Sequence, residues 1–118
     1  MIQTSVHERN HILLVDDERA ITENLSPLLE RAGFDVSIAA DGEAALAQVV
    51  TCTPDMIILD VLMPKLNGRE VLRRLRRSGN WTPVILLTRV GESSERAMAL
   101  EEGADDYLNK PFDAHELI

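Results

Sequence analysis

Short apolar runs that stop on a charge or a hydroxyl organise this chain more than any other feature. Ile12-Leu13-Leu14-Val15 stops at Asp16-Asp17, Met56-Ile57-Ile58-Leu59 at Asp60, and Val84-Ile85-Leu86-Leu87 at Thr88. Apolar runs without a polar interruption suit strands buried on both faces, as in a parallel sheet. Val36-Ser37-Ile38-Ala39 and Asp106-Tyr107-Leu108 read as two more strands, the last stopped by Lys110-Pro111.

Between these runs the apolar spacing becomes helical. Ala20, Ile21, Leu25, Leu28, Leu29 and Ala32 recur up to Gly33, with Pro27 expected to kink the helix. Asp41-Gly42-Glu43 leads into a second helix carrying Ala44, Ala45, Leu46, Val49 and Val50, and Pro54 closes that region. A third buries Val71, Leu72 and Leu75 and carries Arg69, Arg73, Arg74, Arg76 and Arg77 on its other face. A fourth is expected over 94–102, ended by Gly103. Asp113 to Glu116 has capping-box spacing for a fifth helix, truncated at Ile118. Strand alternating with helix predicts an α/β, doubly wound, five-stranded parallel sheet with helices on both faces. Residues 12–118 form one domain in this reading, after a polar N-terminal tail over 1–11.

Composition narrows the function classes. The aromatics are Phe34, Trp81, Tyr107 and Phe112, so the core must be aliphatic. Twelve Lys and Arg face 20 Asp and Glu, a net charge of -8. That balance argues against direct nucleic acid binding by this stretch, or against its gripping an anionic membrane. No apolar run approaches the ~20 residues that span a bilayer, and the start lacks the apolar core of a signal peptide. Cys52 is the single cysteine, which excludes an intramolecular disulfide and fits a cytoplasmic location.

In doubly wound folds ligands bind beyond the carboxyl ends of the strands. Those ends carry Asp16, Asp17, Asp60, Thr88 and Lys110. Three carboxylates brought together repel one another unless a cation intervenes. Hard oxygen donors with open positions suit Mg²⁺, which keeps several waters and leaves room for a phosphoryl group. Lys110 adds a second positive charge and Thr88 a hydrogen-bond donor. A carboxylate between two cations is a workable nucleophile toward phosphorus. The constellation reads as a phosphoryl acceptor.

With these residues in place, the chain resembles the receiver domain of bacterial two-component response regulators over 12–118. The resemblance rests on Leu14-Val15-Asp16-Asp17-Glu18, on Leu59-Asp60-Val61-Leu62-Met63-Pro64 with Asn67-Gly68, on Leu86-Leu87-Thr88, and on Gly103-Ala104-Asp105-Asp106-Tyr107-Leu108-Asn109-Lys110-Pro111-Phe112. Each piece alone is weak, and their order at successive strand ends is specific. The resemblance implies a flavodoxin-like strand order of 2-1-3-4-5 and a phosphoacceptor at Asp60, charged by a sensor histidine kinase. It implies Mg²⁺ held by Asp17, Asp60 and the backbone carbonyl of Leu62, with Asp16 acting through water. It also implies switch roles for Thr88 and Tyr107, phosphate binding by Lys110, and a cis bond before Pro111. Phosphorylation-dependent homodimers through the fourth helix, fifth strand and fifth helix are a further implication, with Arg96, Glu101, Asp105 and Asp106 on that stretch. The Asp105-Asp106-Tyr107 wording is similar to regulators that carry a winged-helix DNA-binding domain and control transcription. Arg89 departs from the pattern, since the family commonly has a small residue just after the switch threonine.

Blander readings stand beside these. Asp16 and Asp17 alone would suit a helix N-terminus. His7-Glu8-Arg9-Asn10-His11 fits the zinc-protease pattern, yet it lies in a polar tail running into a strand, with no third ligand apparent. The arginine face lacks interleaved aromatics and reads as solvated. Trp81 reads as structural, and Cys52 has no basic neighbour in sequence to activate it. A binding module that uses the fold without phosphorylation would have lost an acid, Thr88 or Lys110. A Mg²⁺-dependent aspartyl phosphatase would carry an acid two residues after its nucleophile, where this chain has Leu62. The expected role is a signalling switch rather than an enzyme acting on a separate substrate.

Overall fold

A computed structural model describes residues 10–61, 63, 66–89 and 103–110, with Thr88, Arg89 and residues 107–110 described by their backbone. The strands are β1 His11–Val15, β2 Asp35–Ala39, β3 Met56–Asp60, β4 Val84–Arg89 and β5 Asp106–Lys110. The helices are α1 Arg19–Arg31, α2 Gly42–Cys52 and α3 Gly68–Arg77. All four strand pairings are parallel, in the order β2-β1-β3-β4-β5. The order reverses between β1 and β3, which lie side by side with Val15 opposite Leu59.

Side chains alternate across each strand, so every run feeds two cores. Leu13, Val15, Ile57, Leu59, Val84 and Leu86 pack with Ala45, Val49, Val71, Leu72 and Leu75 of α2 and α3. Ile12, Leu14, Ile58 and Leu87 pack on the opposite face with Leu25 and Leu29 of α1. This is why the runs lack polar residues: both faces are covered. Burying a Leu or Ile side chain contributes about 2 kcal/mol, so these central strands dominate stability.

Local chemistry sets the helix starts. The Asp41 carboxylate accepts the Ala44 N–H at 2.8 Å, and Asn67 Oδ1 accepts the Glu70 N–H at 3.0 Å. Each such cap stabilises its helix by about 1 kcal/mol. α1 remains one helix through Pro27.

Three details differ from the sequence reading. His11 belongs to β1 rather than to the tail. Its N–H donates to Asp55 Oδ2 at 2.7 Å, and its Nε2 lies 2.7 Å from Ser37 Oγ. Extended backbone at His11 is also incompatible with a helical His-Glu-x-x-His site. β4 and β5 run further than their apolar cores, because each supplies the other with backbone partners up to Arg89 and Lys110. Val50 is exposed, since Ala45 and Val49 make the inner face of α2. Trp81, read as structural, is 70% exposed and lies beside the Arg76 guanidinium. The expected fourth and fifth helices and the bond before Pro111 lie outside the described residues.

Candidate functional site

The turn from β1 into α1 and the end of β3 meet at the carboxyl edge of the sheet. Asp16, Asp17 and Asp60 each present a carboxylate oxygen there, all within 4.8 Å of one another. Asp16 and Asp60 are only 2% and 4% exposed, while Asp17 faces solvent. Asp60 is the last residue of β3 and stands in register with Leu87 of β4. Asp16 follows β1, and its backbone N–H donates to the Ala39 carbonyl at 3.2 Å.

Asp16 does part of what its blander reading supposes. Its Oδ1 accepts the Glu18 N–H at 2.9 Å, one residue before α1 starts. The same carboxylate therefore orders the turn and joins the acidic group. The donor set suits Mg²⁺ on chemical grounds. It consists wholly of hard carboxylate oxygens, two of them buried, with one acid open to solvent. A thiol- or imidazole-preferring metal finds no soft donor among these three residues.

β4 and β5 bring the remaining candidates to the same edge. Thr88 is opposite Asn109, and Arg89 is opposite Lys110. Tyr107 is opposite Leu86, further from the edge. Leu62 lies outside the described residues, as do Arg96 and Glu101.

The structure adds a support that the sequence reading held only as part of a motif. The Gly68 N–H donates to the Val61 carbonyl at 2.9 Å, drawing the start of α3 against the end of β3. A Cβ on Gly68 would overlap the Asp60 carbonyl oxygen. The glycine is needed there for close approach to the backbone of Asp60. A glycine directly after an N-cap asparagine was the available signal.

The arginine face of α3 divides in two. Arg73, Arg74 and Arg77 gather around Glu70. The hydrogen bond from Arg73 holds the Glu70 carboxyl below its ordinary value of 4.5, with Arg74 assisting and desolvation opposing. Arg76 is instead buried, its side chain 8% exposed, so the solvated reading fails for it. It lies four residues after Leu72, at the border of the apolar stripe, which is the one sequence signal that sets it apart. Asp105, expected on a dimer face, accepts from Arg76 and from the Val84 N–H within the chain.

Comparison with known proteins agrees with this geometry. The model of the response regulator receiver domain matches residues 12–118. The transcriptional regulatory protein CpxR of Klebsiella pneumoniae is 50% identical over 109 residues, which are 92% of this chain and 46% of that protein. The alkaline phosphatase synthesis transcriptional regulatory protein PhoP of Bacillus subtilis is 47% identical over 106 residues, 90% of this chain and 44% of that protein. The chain thus spans less than half the length of these curated relatives. The receiver domain of Francisella response regulator 1452 superposes with a TM-score of 0.88 at 37% identity, covering 92% of this chain and 90% of that one. A run of strand ends, an acidic group at the sheet's reversal point and these likenesses converge on one conclusion: the chain belongs to the response regulator receiver domain family.

Proposed function

We propose that the chain, as the receiver unit over 12–118, takes a phosphoryl group from the phosphohistidine of a sensor kinase onto Asp60. The observation that carries this is the convergence of Asp16, Asp17 and Asp60 within 4.8 Å at the reversal point of the sheet. A carboxylate oxygen of Asp60 attacks phosphorus as the P–N bond breaks. The imidazole leaves with the bonding pair and takes up a proton. Asp17, Asp60 and the Leu62 carbonyl would hold Mg²⁺, with Asp16 assisting through water, as the family resemblance implies. When bound there, Mg²⁺ would supply positive charge to the phosphoryl oxygens. Lys110 pairs with those oxygens from β5, and Thr88 donates a hydrogen bond to one of them.

The product is an acyl phosphate, and water in line with the P–O bond returns Asp60 to its free form. The chain's role is switching. The phosphoryl group draws Thr88 inward, Tyr107 rotates into the vacated space, and a pre-existing equilibrium is biased. The surface that changes is the fourth helix, β5 and fifth helix, where two copies pair. Likeness to regulators named for transcription supports an output that controls transcription; a winged-helix output in a cytoplasmic protein rests on the resemblance carried by Asp105-Asp106-Tyr107. Among the described residues no helix is long and apolar enough to cross a membrane.

Incubation with Mg²⁺ and acetyl phosphate tests the reading. The expected outcome is one added phosphate mass, labile to hydroxylamine, and none on Asp60→Asn. Equal labelling of that variant would overturn the assignment of Asp60.

A further inference from the structure

Far from the acidic group, at the amino edge of the sheet, one buried arginine ties three segments together. Arg76 Nη1 donates to the carbonyls of Asn80 at 3.0 Å and Thr82 at 2.8 Å, both in the connection to β4. Its Nε and Nη2 donate to the Gly103 carbonyl at 3.1 and 2.8 Å, and Nη2 also reaches Asp105 Oδ2 at 3.3 Å. The guanidinium lies 5.2 Å from the centre of the Trp81 ring. Asp105 closes the other side: its Oδ2 accepts the Val84 N–H at 2.8 Å, and its own N–H donates to the Val84 carbonyl at 2.9 Å. Gly103 has a φ of +105°, and a Cβ there would sit 3.1 Å from Arg76 Nε. The turn is shaped around the guanidinium.

We propose that Arg76 is a positioning residue for the switch, fixing the amino ends of β4 and β5 so that movement is confined to their carboxyl ends. The proposal rests on the receiver reading above. Thr88 lies four residues beyond Val84, and Tyr107 two beyond Asp105, on strands joined at their start by this clamp. A pull on Thr88 does work on Tyr107 only if β4 cannot slide against β5. Five donor contacts from a fully committed guanidinium resist that slide, because breaking them strands partly buried carbonyls. Lysine at this position keeps the charge and loses the fork.

The sequence holds one tryptophan and one tyrosine, so each gives a single fluorine resonance when labelled. Trp81 then reports the clamp and Tyr107 the switch. In the wild type, acetyl phosphate with Mg²⁺ is expected to move the Tyr107 signal and leave that of Trp81 in place. Arg76→Lys is expected to take up phosphate to the wild-type extent, with a displaced Trp81 signal. Its Tyr107 population ratio should respond about tenfold less, the cost of one charge-assisted bond. Asp105→Asn keeps an acceptor for Val84 and should act in the same direction, and it decides the matter if Arg76→Lys does not fold. A displaced Trp81 signal with a wild-type Tyr107 response overturns the proposal alone. Failure of the wild type to take up phosphate overturns the receiver reading and the proposal with it.

Discussion

The two edges of the sheet handle charge in opposite ways. At the carboxyl edge, Asp16, Asp17 and Asp60 bring like charges within 4.8 Å, two of them buried. At the amino edge, Arg76 meets Asp105 and three backbone carbonyls, and His11 and Asp55 close the start of β1. One edge gathers like charges of the kind that a cation relieves. The other spends its polar groups on holding strands in place. The same strands run between them, so a single sheet has an acidic end, where the proposed reaction takes place, and a hydrogen-bonded end.

The sharpest way to break this contrast is to neutralise a charge at each edge. Asp60→Asn is expected to abolish phosphoryl uptake while raising stability by about 1 kcal/mol, since it removes one of three crowded like charges. Arg76→Met is expected to leave uptake intact and lower stability by about 2 kcal/mol, because partly buried acceptors lose their donor. Thermal unfolding beside intact mass reads both outcomes. The same sign of stability change for the two variants would erase the distinction.

Gly68→Ala tests whether the reactive edge depends on backbone packing as well as charge. The added methyl must displace the Asp60 carbonyl or the start of α3. A loss of about 2 kcal/mol with slower uptake is expected. Denaturant unfolding and labelling rate measure it, and unchanged values would mean that the two segments separate freely.

Metal affinity grades the acids. Asp17→Asn should weaken Mg²⁺ binding about tenfold, and Asp16→Asn less, because its proposed contact runs through water and one of its carboxylate oxygens already serves the Glu18 N–H. Titration of both variants against the wild type ranks them. Reversal of that order would exchange their roles.

Arg89 offers a smaller effect. It stands opposite Lys110 at the same edge, one residue past Thr88. Arg89→Ala is expected to shorten the phosphate lifetime a few fold, the result that an arginine lying over the phosphoryl pocket would give and one turned to solvent would not. Identical lifetimes would remove Arg89 from the mechanism.

Glu70 gives the smallest. Its folded-state value is lowered, chiefly by Arg73, so its contribution to stability is present above its ordinary value of 4.5 and is lost as pH falls through the lowered one. Glu70→Gln should therefore flatten the acid side of the stability profile, slightly and less so at high salt. A profile identical to the wild type would show that the arginine cluster on α3 does nothing for the fold.

Much of this molecule is written locally. Apolar runs bounded by Asp and Thr specify buried parallel strands because both faces must shed water, and no longer-range information is needed to see it. The acids that follow β1 and end β3 inherit their convergence from that topology. For the same reason Asp16, Asp17 and Asp60 were legible as a group before any distance was known. Motif order then made the family legible as well.

What local pattern could not decide is which member of a uniform set is different. Five arginines on α3 look alike in sequence, yet the turn at Gly103 and the connection through Asn80 and Thr82 close over one of them alone. Trp81 reads as structural in sequence, and the structure shows what it serves: it lies at the surface over the guanidinium of that same arginine. Asp105 looks like a charge for a partner and is engaged by Val84 within its own chain. Residues far apart in sequence settle each of these cases, through contacts that exist only once the sheet has formed. Sequence by itself determined the sheet and the acids at its edge, since hydrophobic period and strand ends are local properties. Only the tertiary structure decided which polar groups are consumed in holding that sheet, since a hydrogen bond depends on where its partner arrives.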